Sequence, residues 1–140
     1  MHDPQQAQQD IISDFSLFDN WLDRYQYLID LGKTLKPLAD ADKTDDILLP
    51  GCQSKVWLII EGDASEIRIR ANSDAAIVSG LIALLIQVYS GASAEQILSA
   101  RPEFIEAIGL QQHLSVTRAN GLHAMLQAIN NAARSYLGNL

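Results

Sequence analysis

The sequence predicts an α+β domain: a small antiparallel sheet or hairpin packed by N-terminal, core and C-terminal helices. Three observations carry this expectation. Two β-branched runs flank a glycine-containing turn between residues 55 and 70, apolar residues recur at helical spacing before and after them, and a long apolar tract occupies residues 75–89. With 140 residues, 48% of them hydrophobic and 19% charged, the chain can bury a core without staples. No internal repeat or linker divides it, so residues 1–140 are read as one domain.

Ile11, Ile12, Phe15 and Phe18 form an apolar stripe on a short N-terminal helix. Trp21, Leu22, Tyr25, Leu28 and Ile29 mark a second helix, with Asp19 as its expected cap and Gly32 at its end. Periodicity fades from 33 to 51, where Pro37 and the acidic runs at 40–42 and 44–46 indicate a loop with a short extended piece at 47–49. Residues 55–60 then read as a strand, Gly62-Asp63 as a turn, and 66–70 as a second strand. In that strand Ile67 and Ile69 face one way while Glu66, Arg68 and Arg70 face the other.

The tract at 75–89 is interrupted by Ser79, Gly80 and Gln87 and falls short of the roughly 18 apolar residues a membrane span needs, so it is read as a buried core helix. Ser73 or Asp74 is its expected N-cap and Gly91 its C′ residue. Ser93 and Gln96 fit a capping box that opens a short helix. Another short helix is expected from Glu103 to Ile108, stopping at Gly109. The last long helix starts near Ser115 or Thr117 and carries Leu122, Leu126, Ile129, Ala133 and Leu137 as its apolar stripe.

The charge balance narrows the function classes. Ten Lys and Arg against 17 Asp and Glu give −7, which opposes direct contact with nucleic-acid phosphates or anionic membranes and favours a protein partner. The first residues show neither a basic leader nor an apolar signal core, so a cytoplasmic location is expected, where a lone thiol stays reduced. One Cys and three His match no multi-cysteine zinc or iron–sulfur pattern, and no metal site is expected.

That Cys, Cys52, stands in Pro50-Gly51-Cys52-Gln53-Ser54, between a polar loop and the first strand. From spacing alone three readings stay open: a small buried hydrophobe, a reactive thiol, or a residue of no special role. Adjacent carboxylates such as Asp45 and Asp46 read as loop solvation instead of a convergent hydrolytic pair, and the aromatic residues read as core packing instead of a nucleic-acid platform.

The segment Gly51-Cys52-Gln53-Ser54-Lys55-Val56-Trp57 resembles the signature of the SufE/CsdE family of cysteine desulfuration proteins, the sulfur acceptors of cysteine desulfurases. The stretches 24–32, 72–81, 112–115 and 118–122 also match and follow in family order. Two positions depart from the pattern, Val116 and Ala94 standing where the family commonly has Pro; both remove a preset φ without removing a reactive group.

The resemblance implies that Cys52 carries a persulfide received from a desulfurase, so that the chain is a sulfur carrier and desulfurase activator more than a stand-alone enzyme. It implies supporting or partner-binding roles for Gly51, Gln53, Ser54, Asp74, His113 and Arg118. For Asp74 helix capping competes with such a role, for His113 capping or packing does, and for Arg118 simple solvation does. The chain then needs no cofactor, because pyridoxal phosphate belongs to the partner desulfurase. The other implied partner is a downstream sulfur acceptor or iron–sulfur scaffold complex, and the resemblance admits a homodimer. Modified-nucleoside synthesis is the alternative destination for the sulfur, and a regulator without chemistry at Cys52 the alternative role.

Overall fold

Asp3 opens the first helix by accepting the Gln5 N–H at 2.9 Å, and Pro4 follows at the first helical position, where its missing N–H costs nothing. The computed structural model describes residues 2–50 and 54–138. Helix α1 (Pro4–Phe15) buries Ile11 and Phe15 almost completely. Phe18, expected on the same helix, lies beyond its end and packs its ring on Tyr27 at 5.0 Å. Helix α2 (Trp21–Gly32) is capped by Asn20, whose Oδ1 accepts the Asp23 N–H at 2.9 Å, and not by Asp19. Both residue types cap equally well, so the one with its oxygen over the first turn takes the role. Leu22, assigned to the apolar stripe, is 79% exposed.

Two 3₁₀ turns, Asp40–Asp42 and Asp45–Ile47, occupy the loop that follows. The expected extended piece is present in part: Leu48 bridges to Trp57, and the Leu49 N–H donates to Val56 O at 2.9 Å. Strands β1 (Val56–Asp63) and β2 (Glu66–Ser73) then pair antiparallel, from Val56 opposite Ser73 to Asp63 opposite Glu66. The turn is Ala64-Ser65, and Gly62-Asp63, expected there, closes β1 instead. Asp63 explains the shift. Its Oδ1 accepts from the Ser65 N–H, the Ser65 hydroxyl and the Glu66 N–H, so the chain reverses one step after it. Along β2, Ile67, Ile69 and Ala71 are buried while Glu66, Arg68 and Arg70 are exposed, as the alternation predicts.

Helix α3 (Ala76–Tyr89) is the centre of the molecule, packed by α1, α2, β2 and the last helix. Its contact with α2 is a glycine crossing: a Cβ on Gly80 would stand 2.2 Å from Leu28 O, and one on Gly32 2.8 Å from Gly80 N. Among the described residues, no helix is long and apolar enough to cross a membrane. The helix ends at Ser90, and Gly91 follows at φ +93°, the left-handed C′ residue expected. The reversal that follows binds the outer edge of β2, Ile67 N–H donating to Ala92 O at 2.8 Å and Gly91 N–H to Ile67 O at 2.7 Å.

Helix α4 (Ala94–Ser99) carries the Ser93/Gln96 capping box. Its first residue is Ala94, whose N–H donates to Ala64 O at 2.9 Å, a bond that proline could not make. Helix α5 (Glu103–Ala107) stops before Gly109, at φ +81°, and a one-turn helix α6 (Leu110–His113) follows that periodicity did not suggest. Helix α7 (Val116–Gly138) closes the core with Leu122, Met125, Leu126, Ile129 and Ala133. The result is the expected α+β architecture.

Candidate functional site

Gly51, Cys52 and Gln53 lie outside the described residues, so the site is built from the residues that flank and face them. On one side, Leu49 is fastened to Val56 by the 2.9 Å backbone bond. On the other, Lys55 and Asp74 exchange two bonds: the Lys55 N–H donates to Asp74 Oδ1 at 3.0 Å, and the Asp74 N–H to Lys55 O at 3.3 Å. Both flanks of the Gly51-Cys52-Gln53 stretch are therefore tied to the sheet or to the start of α3.

This bond corrects the expectation that Asp74 caps α3. The helix starts at Ala76 with Ala75 before it and no side-chain cap, and the Ser73 hydroxyl accepts the Ala75 N–H at 3.2 Å. The Asp74 carboxylate faces back toward the strand, because the Lys55 N–H needs an acceptor where β1 begins.

Ser54 is half-buried and borders a narrow cleft between α3 and α7. Val78 and Leu81 form one wall; Thr117, Arg118, Gly121, Leu122 and Met125 form the other. Its volume of about 20 Å³ is room for about one water molecule. Ser115 Oγ accepts the Arg118 N–H at 3.2 Å, capping the start of α7. That leaves the Arg118 side chain exposed at the cleft's edge, and it joins none of the ion pairs among the described residues, which are Lys33–Asp30, Arg68–Glu66 and Arg70–Glu61. Val116, where the family commonly has Pro, is the first residue of α7 and 78% exposed. Proline would suit that position, and the Ser115 cap holds the helix start without it. A hollow of about 250 Å³, lined by Ile105, Glu106, Leu114 and His123 among others, adjoins the cleft across Leu122.

His113 is not among the residues of this cleft. Its ring stacks on Trp21 at 4.0 Å and 12°, its Nδ1 lies 3.0 Å from Gly109 O, and its carbonyl accepts from the Tyr25 hydroxyl. Arg24 covers Trp21 at 5.5 Å and donates to Ile108 O at 3.0 Å. The imidazole is thus part of the packing that seats α5 and α6 on α2.

Among the predicted site residues that are described, the structure brings Ser54 and Arg118 to one cleft and ties Asp74 to Lys55. Thr117, Gly121, Leu122 and Met125 were missed. The signal was available, since positions 117, 118, 121, 122 and 125 share one face of a helix and Gly121 is an unusual residue for its interior. Among the described residues, no cluster of three His, Cys, Asp or Glu is arranged to hold a metal ion.

Comparison with known proteins bears on the fold and the family. The chain resembles the solution structure of a hypothetical protein from Thermus thermophilus, with a TM-score of 0.76, 21% identity and 99% of each chain covered, which shows a shared fold. An uncharacterized SufE-like protein of Rhizobium meliloti is 39% identical over 132 residues, covering 91% of this chain and 94% of the relative. A second, from Rhizobium etli, is 40% identical over 129 residues, covering 89% and 87%. Residues 9–133 match the family described as SufE, Fe-S metabolism associated domain; the chain therefore belongs to the SufE family, and its role lies in sulfur transfer.

Proposed function

We propose that this protein accepts persulfide sulfur from a cysteine desulfurase on Cys52, stimulates that desulfurase, and passes the sulfur toward iron–sulfur cluster assembly. Cys52 is the only cysteine of the chain, so a persulfide relay has one available thiol. The observation that carries the reading is the convergence of Ser54 and Arg118 on one cleft beside the Cys52 segment. A serine hydroxyl and a guanidinium there offer hydrogen bonds and positive charge to an anionic sulfur.

The step balances without an external oxidant. The Cys52 thiolate attacks the outer sulfur of the desulfurase persulfide, a new S–S bond forms on Cys52, and the old one breaks to release the desulfurase cysteine as a thiolate. Pyridoxal phosphate acts earlier, on the desulfurase. This chain's residues supply the nucleophile, the local positive charge and the docking surface, to which exposed Val116 at the start of α7 contributes apolar area.

The test is intact-mass analysis after incubation with a desulfurase and cysteine. One added sulfur, mapped to Cys52 and absent from Cys52→Ser, is the expected result, together with faster desulfurase turnover in the presence of the wild type alone. If Cys52→Ser stimulates turnover as well as the wild type does, the protein is a regulator and the carrier reading fails. Transfer from the loaded protein to an apo iron–sulfur scaffold supplied with iron, read as cluster absorbance, tests the destination.

A further inference from the structure

The face of α3 that carries Val78 and Leu81 serves the Ser54–Arg118 cleft, but Ala83 and Ile86 look elsewhere. They line a separate groove of about 460 Å³, bounded by the end of α2, the segment 34–38 and β2. Its volume lies in the range of small-molecule sites, about 300–1,000 Å³. The apolar lining includes Leu35, Pro37, Ile69 and Ala71.

Two features define what would occupy it. The first is charge. In a chain of net charge −7, none of the described residues that line the groove is a carboxylate, and the charged ones among them are Lys36 and Arg70. Arg70 is engaged with Glu61 at 3.1 Å, whereas Lys36 joins none of the ion pairs among the described residues. The second is rigidity. Asn72 is buried, accepts the Leu38 N–H at 2.7 Å and donates to Lys36 O at 3.1 Å, so the outer wall is pinned to β2 and the groove is preformed.

We propose that this groove binds a small amphipathic carboxylate, its apolar chain against Ile69, Ala83 and Ile86 and its headgroup at Lys36. An apolar cation would meet the wrong sign of charge. The site is independent of the sulfur chemistry and stands or falls apart from it.

The test uses decanoate below its micellar concentration with the full chain, read by calorimetry and by methyl NMR of Ile69, Ala83 and Ile86. Saturable binding with shifts confined to those methyls is expected, with decanol weaker and decyltrimethylammonium weaker still. Lys36→Gln should weaken decanoate about two- to fivefold, the range of an exposed ion pair, and leave decanol unchanged. Ala83→Phe fills the groove and should abolish binding. If that variant does not fold, Lys36→Glu, an exposed change, should reverse the preference to the cationic probe. Equal affinity for all three probes, shifts spread over the whole surface, or an acidic apolar peptide binding at these methyls where decanoate does not would each overturn the proposal.

Discussion

Asp74 and Lys55 hold each other by two hydrogen bonds, the carboxylate on the Lys55 N–H at 3.0 Å and the Lys55 carbonyl on the Asp74 N–H at 3.3 Å. The pair joins the residue entering β1 to the one that leaves β2, so the geometry beside the Cys52 segment depends on an exposed acid. Asp74→Ala should cost about 1 kcal/mol in urea unfolding, because a charge-assisted bond is lost in a solvated setting. Asp74→Asn should retain most of it, since the amide oxygen can still accept. Hydrogen exchange identifies the site of the loss: in Asp74→Ala the Lys55 amide should exchange faster, with Ile77 and Val78 unchanged. Faster exchange in the first turn of α3 instead would restore the capping role.

The α2–α3 crossing makes a sharper prediction for stability. Gly80→Ala would place a methyl 2.2 Å from Leu28 O and 2.7 Å from Leu28 C, both backbone atoms that cannot swing aside. Intrinsic helix propensity favours alanine, yet overpacking should win and cost about 2 to 3 kcal/mol. Gly138→Ala, with open space around its Cβ, is the control and should not destabilise. Equilibrium unfolding of both variants decides the matter.

These residues also show what periodicity reveals and what it hides. The hairpin and α3 were legible because period-two and helical patterns report which face is buried, and Ile67 and Ile69, with Val78, Leu81, Ile82, Leu84, Leu85, Val88 and Tyr89 of α3, are buried as read. The capping box of α4 was legible because its chemistry is local. The cap of α2 fell to Asn20 over Asp19 because neighbouring residues of equal capping power are separated only by where the chain turns. Spacing mistakes Asp74 for a cap because its partner, Lys55, comes from another element, which the pattern within a helix cannot disclose. For the same reason the meeting of Ser54 with Arg118 is visible only in the folded chain: family likeness named both residues without joining them.

The hairpin turn carries a pH signature. Hydrogen bonds from the Ser65 hydroxyl first, and from the Ser65 and Glu66 N–H groups, hold the Asp63 carboxyl below the usual carboxylate range. A depressed folded-state pKa means that this stabilisation is present above the unfolded value, near ~3.9, and is lost as pH falls through the folded one. Asp63→Asn removes the charge, so the wild type should melt at the higher temperature at pH 7. The gap should narrow below about pH 4 and close at lower pH. A gap independent of pH would show that the carboxylate's charge contributes nothing.

Arg118 supplies the most direct test of whether the cleft supports chemistry. Its backbone N–H is engaged by Ser115 while its side chain is exposed at the cleft bordered by Ser54, so removing the guanidinium should leave stability nearly unchanged. A cation near a thiol favours the thiolate and lowers its pKa; Arg118→Ala should therefore raise the pKa of Cys52 and move its alkylation profile to higher pH. Sulfur transfer at pH 7 should fall roughly threefold or more, with Arg118→Lys recovering the alkylation profile but not all of the transfer, because the ammonium lacks the directed donors of the guanidinium. Binding to the desulfurase separates the two ways this could arise. An unchanged Kd with a shifted profile assigns Arg118 to the thiolate, whereas a weakened Kd with an unshifted profile assigns it to docking. An Ala variant that binds, alkylates and transfers as the wild type does across pH would leave Arg118 a solvated helix residue.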